Sequence, residues 1–535
     1  MLKPIASLFI VFGFAMNAAA ERKVAKDLEN LKPDSTVDVI VQYRKTPIAA
    51  HHQKIEARGG KHKTDLSLIK GGHYSVPVSL LAELEKDDEV VAISPDRQLR
   101  PMLDTTRATA GFTSAKAGGY VGTGIGVAVI DSGVYSPYLG NVVYTKNFTT
   151  ATTTGDWYGH GTHVAGIIGN SGTANGGLAA GVKIISLKVL DDNGVGRDSW
   201  VIAAITEAIR VKATYNIRVI NLSVGRPVAE SYKTDPLCQA VEQAWKAGIV
   251  VVVAAGNEGR NNSKNTQGYA TITSPGNDPY VITVGAMKTN GTTSRSDDTV
   301  ASYSSKGPTL LDHVAKPDIL APGNKVVSTL YYNCDMVMLY PGNSVNDNYF
   351  RLSGTSMAAP VVSAAAALVL QKFPTLTPDQ VKARLMRTAT KTFPLSSTTT
   401  DPVTYVSYTS QYDVFTVGAG YLDVWAALND TTPMTGTALA LSPTVVLSPY
   451  NVISLVYGNN VVWGTNVVWG NNVVWGTNVV WGTNVVWGTN VVWGTSVVWG
   501  MGNTAGQSVV WGESIVWGSG TPAAEAASIA INGEN

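Results

Sequence analysis

The chain has 535 residues, 15% of them charged, with 53 glycines and a formal net charge of +1. That length allows two to four domains, the main one with a large core. The near-neutral charge implies no nucleic-acid or membrane-surface partner, and the low charge with abundant glycine suits a loop-rich extracellular protein better than a helical cytosolic one.

The chain opens with Lys3, the apolar run "IASLFIVFGFAM", the small residues "NAAA" and then the charged "ERK". The run is too short to span a bilayer, so residues 1–20 read as a signal peptide cut after Ala20. A buried N-terminal helix would not end in small residues followed by charge. No later stretch reads as long and apolar enough to cross a membrane, so a secreted protein without a membrane span is expected.

Residues 21 to about 103 are densely charged, with mixed signs. "TVDVIVQY" alternates as a strand, "PVSLLAELEKDDE" reads as a helix and "VVAIS" as a short strand. These suffice for a small α+β domain.

From about 104 to 428 the pattern changes. "GIGVAVI", "KIISLKVL", "RVINLSV" and "IVVVVAAG" are near-continuous apolar runs, the mark of parallel strands covered on both faces. Helical patterns lie between and after them: the segment following His160, "SWVIAAITEAIRVKA", "DPLCQAVEQAWKAG", "SMAAPVVSAAAALVLQKF" and a last helix with the capping box "TPDQ" from Thr377 to Gln380. Alternating β and α elements predict a doubly wound, mostly parallel α/β sheet. The Ser/Thr-rich stretch near 396–410 reads as a surface loop. The two cysteines, Cys238 and Cys334, fit one disulfide or two separate thiols equally well.

Residues 429–535 contain no Lys or Arg. Here a hexapeptide repeats, as in "NVVWGTNVVWGT", with Trp at 463, 469, 475, 481, 487, 493 and 499 and imperfect continuations at 511 and 517. An even period keeps every Trp on one face of an extended chain, and Gly-Thr-Asn supplies turns. A β-rich tail of stacked short strands is expected, as a packing module. With no His, Cys, Lys or Arg in the repeat, it is expected to be dispensable for peptide-bond chemistry.

Chemistry concentrates in three short motifs. "GHGTHVAG" carries His160 and His163, three apart. A common zinc helix needs two His four apart with a Glu between them, so a metal pair is disfavoured. "VAVIDSGV" puts Asp131 where an apolar strand ends, at the sheet edge where open α/β proteins bind ligands. "SGTSMAAP" puts Ser356 at the start of an Ala-rich helix, whose backbone N–H groups suit an oxyanion. Singly, Asp and Ser are ordinary strand-end and helix-cap residues.

Together the three motifs closely resemble those of the subtilisin-like serine proteases, in that family's order Asp, His, Ser. The resemblance covers about 104–428 and implies Asp131, His160 and Ser356 as the catalytic triad, with His160 as base and His163 as a structural neighbour. A fourth match, "AAGNEG", implies Asn257 as the oxyanion-hole amide. By the same resemblance Ser223, Val224 and Gly225 would pair with the substrate backbone, and Ala254, Ala255 and Gly256 would form the facing wall of the pocket. Glu258 is equally readable as a determinant of basic side chains or as a solvated loop charge. Residues 21–103 resemble the family's inhibitory propeptide, which implies an autoprocessed zymogen whose propeptide is an intramolecular inhibitor and folding aid. The histidines agree: four of seven precede residue 104, and His313 in "LLDHVAKP" has no catalytic context. No cofactor is required. Many relatives hold calcium after the His helix, but "GNSGTANGG" offers no carboxylate, so a plain turn is expected there and structural calcium stays open.

The leading expectation is a secreted serine endopeptidase acting on protein or peptide substrates. An α/β-hydrolase esterase needs G-x-S-x-G and the order Ser, Asp, His, which this chain lacks. The other alternative is a secreted surface-binding protein with a vestigial protease fold and functional Trp repeats; no triad member is missing to favour it.

Overall fold

The computed structural model describes residues 23–24, 28, 31–32, 35–66, 69–95, 102–171, 176–263, 266–401, 404–432, 439–447, 453–456 and 533–534. The signal-peptide expectation and the hexapeptide repeat lie outside these residues. The chain divides into two units, Met1–Arg100 and Pro101–Asn535.

In the smaller unit, β1 (Thr36–Tyr43) is the alternating segment of the sequence: Val39, Val41 and Tyr43 point inward, the residues between them less so. α1 (Ala49–Glu56), β2 (Lys61–Leu66), β3 (Gly71–Pro77), α2 (Leu81–Glu85) and β4 (Val90–Pro95) complete it. The sheet is antiparallel in the order β2-β3-β1-β4, and Ile55, Tyr74, Val76, Leu84 and Ile93 share its core. The expected long helix is shorter. Pro77 belongs to β3, a 3₁₀ turn covers Val78–Leu80, and α2 ends before the acidic run. α1 and β2 escape the sequence because they are largely exposed; α1 buries only Ile55.

The larger unit opens with α3 (Met102–Thr109) and α4 (Phe112–Ala117) and then forms one sheet from β5 (Gly126–Asp131), β6 (Val142–Asn147), β7 (Lys183–Lys188), β8 (Ile217–Leu222), β9 (Val250–Ala254), β10 (Ile282–Lys288), β11 (Thr299–Val300) and β12 (Ile319–Pro322). The order is β6-β7-β5-β8-β9-β10-β11, with β12 also pairing β10; only β10 with β11 is antiparallel. This is the expected mostly parallel sheet. β5, β9 and β10 are buried at every position, which requires cover on both faces. Each of the valines and isoleucines there contributes about 1.5–3 kcal/mol over an exposed position.

The covering helices are α5 (His160–Gly169), α6 (Asp198–Arg210), α7 (Lys212–Tyr215) and α8 (Pro236–Lys246). After β13 (Val326–Thr329), α9 (Asp335–Leu339), β14 (Ser344–Asn346) and β15 (Tyr349–Leu352) comes α10 (Thr355–Lys372), which packs on α5 and across β8, β9 and β10. α10 is long and apolar enough by composition to cross a membrane, contrary to the sequence expectation, but it is buried as the central core helix. α11 (Pro378–Thr388) carries the predicted capping box.

The Ser/Thr-rich stretch is not an irregular loop. β16 (Ser396–Thr400) and β17 (Ser407–Gln411) form an antiparallel hairpin in which Thr398 meets Thr409 and Thr400 meets Ser407, each pair hydrogen-bonded at 2.9 Å. Threonine's β-branch suits a strand, and cross-strand hydroxyl pairs stabilise it. α12 (Val414–Val417), α13 (Val424–Asn429), β18 (Thr444–Leu447) and β19 (Ile453–Val456) follow.

The chain keeps packing on this unit past Leu428. Ser442 hydrogen-bonds Asp318 and Lys382, and Glu534 is buried against Arg260. Both cysteines are buried free thiols; burial first of all raises the pKa of each, that of Cys334 to about 11.

Candidate active site

Strand order reverses beside β5: the chain leaves β5 for β6, returns as β7, then crosses to β8 on the other side. Ligand crevices form at such switch points, beyond the carboxyl ends of the strands. Asp131 is the last residue of β5 and is fully buried. Its Oδ1 accepts from the Ser132 N–H and lies 2.7 Å from His160 Nδ1.

His160 is the first residue of α5, and the approach of that helix to β5 depends on Gly161. A Cβ there would lie 2.2 Å from the Gly133 carbonyl and 3.2 Å from Asp131. Asp156, which sequence reasoning missed, ties down the same corner. Its buried carboxylate accepts from the N–H groups of Gly159 and Thr162 and from the hydroxyls of Ser132 and Thr162, at 2.6 to 2.8 Å. It satisfies donors that the helix cannot satisfy itself. Lys188, buried at the end of β7, donates to the carbonyls of Ser132 and Gly155. A short Asp three residues before a Gly-His start is the signal that would have found Asp156.

The two histidines part ways here. Burial works against charge on His160, but the Asp131 carboxylate outweighs it and raises its pKa above the usual 6.5. His163 has no such partner. It is fully buried, its Nε2 lies 3.0 Å from the Phe350 carbonyl, and burial pushes its pKa down to about 3. It stays neutral and donates one structural hydrogen bond.

Ser356 is the second residue of α10. Its hydroxyl donates to the Ser223 carbonyl at 3.1 Å, and no bond to His160 is formed among the described residues. Such catalytic hydrogen bonds often close only around substrate. Asn257 follows β9. Its Oδ1 accepts from the backbone N–H and hydroxyl of Thr355, at 2.9 and 3.1 Å, which turns its amide NH₂ away from that contact. Thr355 also receives the Gly256 N–H on its hydroxyl at 3.1 Å, so one threonine couples the β9 loop to the start of α10.

Ser223, Val224 and Gly225 follow β8, while Ala254 ends β9 and Ala255 and Gly256 follow it. A Cβ on Gly225 would meet Thr273 Oγ1 at 2.7 Å and one on Gly256 would meet Thr273 Cγ2 at 2.8 Å. Thr273, unremarked in the sequence, thus packs against both glycines and explains why neither has a side chain. Glu258 sits half-buried just beyond Asn257. Of the loop after the His helix, where a plain turn was expected, residues 172–175 lie outside the described residues.

The model of the subtilase family matches residues 122–433. The chain belongs to the subtilase family. It is 38% identical to the serine protease AprX of Bacillus subtilis over 327 residues, which is 58% of this chain and 71% of AprX. With subtilisin E of Bacillus subtilis it shares 33% identity over 398 residues, 72% of this chain and 92% of the relative. An extracellular serine proteinase of a Thermus species is 35% identical over 346 residues, covering 61% and 73% respectively. This subtilase is therefore a subtilisin-like serine endopeptidase, and its substrates are proteins.

Proposed function

We propose that this subtilase is a secreted endopeptidase, made as a self-processing precursor, in which Ser356 is the nucleophile, His160 the base and Asp131 the residue that orients it. The Asp131–His160 bond at 2.7 Å carries the reading. A serine hydroxyl is a weak nucleophile until a base takes its proton. Asp131, accepting at Nδ1, leaves Nε2 as the lone pair that receives that proton, and it stabilises the imidazolium without being protonated itself. His160 then protonates the leaving amine. The Asn257 NH₂ and the backbone N–H of Ser356 supply the donors for the tetrahedral oxyanion. Substrate lies between the strand end at Ser223, Val224 and Gly225 and the wall of Ala254, Ala255 and Gly256.

In this reading residues 1–20 direct export, 21–103 are the propeptide, 104–428 the catalytic domain and 429–535 a tail for anchoring, secretion or substrate association. The name of the extracellular Thermus relative supports export. No cofactor takes part, and calcium would be structural only. The test is Ser356→Ala, assayed on casein with its N-terminus mapped by mass spectrometry. Loss of both proteolysis and propeptide removal is expected. Clean self-processing of this variant would overturn the assignment.

A further inference from the structure

The N-terminal unit holds a side-chain cluster that peptide hydrolysis does not use. His52 projects from α1, while His62 and Asp65 come from β2. Three residues apart on a regular strand, His62 and Asp65 would face opposite sides. The pairing of β2 with β3 slips between His62 and Thr64, so that His62 faces Tyr74 and Asp65 faces Gly72. Tyr74 and Gly72 are two apart on β3 and share a face, so the bulge brings His62 and Asp65 to one side. Gly72 keeps the space open; a Cβ there would lie 2.5 Å from the Tyr74 hydroxyl.

The resulting geometry is specific. Asp65 Oδ1 lies 3.2 Å from His52 Nε2 and 3.1 Å from His62 Nε2. All three ligand atoms fall within 4.8 Å of one another, and the two imidazoles, stacked with centroids 3.9 Å apart, would turn out of their stack to aim both Nε2 lone pairs at one ion. Zinc bonds of about 2.0–2.1 Å in a tetrahedron set neighbouring ligand atoms about 3.3 Å apart. The other nitrogen of His52, Nδ1, meets the Tyr74 hydroxyl at 2.9 Å, which is the outer contact that fixes a ligating histidine's tautomer.

We propose that His52, His62 and Asp65 form a binding site for a divalent transition-metal ion of the zinc class, with the two histidines ligating through Nε2, Asp65 through Oδ1 and water in the fourth position. Two imidazoles and one carboxylate favour zinc over the hard cations calcium and magnesium.

The test uses the full-length Ser356→Ala chain, so that the N-terminal unit stays attached; intact mass checks this first, so a failure of the nucleophile assignment is recognised separately. Metal-depleted protein is titrated with zinc chloride by calorimetry, in parallel with its thermal midpoint. One equivalent is expected to bind at micromolar concentration and to raise the midpoint. His52→Gln with His62→Gln should remove that equivalent, and Tyr74→Phe should weaken it about tenfold. Asp65→Asn should also weaken it, while His160→Gln should leave it intact. Far-UV circular dichroism confirms that each variant is folded. Unchanged stoichiometry in the folded double variant, binding only at millimolar zinc, or equal competition by calcium would each overturn the proposal.

Discussion

The hydroxyls of Ser223 and Ser356 each donate to the other's carbonyl oxygen, at 2.8 and 3.1 Å. The Ser356 carbonyl is available because Pro360, four residues on within α10, has no N–H to offer it. Ser223 takes the missing donor's place, and Asn221, bonded to Ser223 and to Ser363 of α10, holds Ser223 in turn. A break in the helix ladder thus pins the first turn of α10 to the end of β8. Pro360→Ala restores a competing N–H and should lower kcat on a short chromogenic peptide by at least about tenfold, without lowering the thermal midpoint. Ser223→Ala, losing about 1 kcal/mol of hydrogen bonding, should lower it about fivefold. Wild-type turnover in both variants would show that the pairing does not position the nucleophile.

Asn257→Ala should reduce kcat by about 10²–10³ with little change in KM, because its NH₂ donates to charge that exists only in the transition state; that magnitude is taken over from subtilisin itself. The variant also strips the acceptor from the Thr355 N–H, so the thermal midpoint should fall slightly. A proportional rise in KM with kcat intact would instead place Asn257 in ground-state binding.

His160 acts as a base only when neutral, and its pKa is raised above 6.5, after the opposing effect of burial, by the Asp131 carboxylate. Activity should therefore disappear as pH falls through a value above 6.5. Asp131→Asn removes the charge that raises it, so the acid limb of kcat/KM should move to lower pH while the plateau drops steeply. An acid limb that stays in place in this variant would separate Asp131 from the base.

The sheet and the site were legible for different reasons. β5, β8 and β9 announce themselves as near-continuous apolar runs because both faces are covered, and Asp131 stands out as the charge that ends one of them. His160, Asn257 and Ser356 were legible only as family motifs; spacing alone left His160 and His163 indistinguishable. Lys188 and Thr273 were missed because their work is done across the fold, on partners that no local pattern names, whereas Asp156 and Pro360 carry local signals, an Asp three residues before Gly-His and a proline inside a helical pattern. The 396–411 hairpin was missed because its stabilising pairs are hydroxyls, so the apolar alternation that marks a strand is weak.

His163 gives a pH-dependent stability of opposite origin to the catalytic effect. Folded, its pKa is about 3, while an unfolded histidine titrates near 6.5. Below pH 6.5 the unfolded chain takes up a proton that the folded chain refuses, so stability falls as pH drops from about 6.5 toward 3, by at most about 5 kcal/mol. His163→Gln, which keeps a donor for the Phe350 carbonyl, should be less stable at pH 8 yet lose less between pH 7 and 4. Urea midpoints of both chains, each carrying Ser356→Ala against self-digestion, provide the comparison. Parallel loss in the two would remove His163 as the acid-sensitive group.

Glu534 tests whether the last stretch of the chain is separable from the enzyme. It is buried, and its Oε1 accepts from the Ser302 N–H at 2.9 Å and from Arg260 Nη2 at 2.8 Å. Its own backbone N–H and carbonyl both bond to the Asn324 side chain, at 2.8 and 2.9 Å. Arg260 is itself buried, bonded to Asp401 at 2.8 Å and stacked 4.8 Å over Tyr408, so Glu534 completes a charge network that also holds the 396–411 hairpin. Removing the carboxylate leaves the Ser302 N–H without its acceptor and Arg260 with one carboxylate instead of two. Breaking a buried pair costs about 3–5 kcal/mol; because Asp401 remains, the lower end, about 3 kcal/mol, is expected for Glu534→Ala. Glu534→Gln keeps an oxygen for Ser302 and should lose about half of that. A chain stopped at Leu428 also lacks Ser442 on Asp318 and should be at least as destabilised as Glu534→Ala, while folded molecules of it still cleave a small peptide. Unfolding in urea gives the stabilities and single-turnover cleavage gives the chemistry. A truncated chain with unchanged stability would mean that residues 533–534 contribute nothing to the catalytic unit, and the tail would then be separable in full.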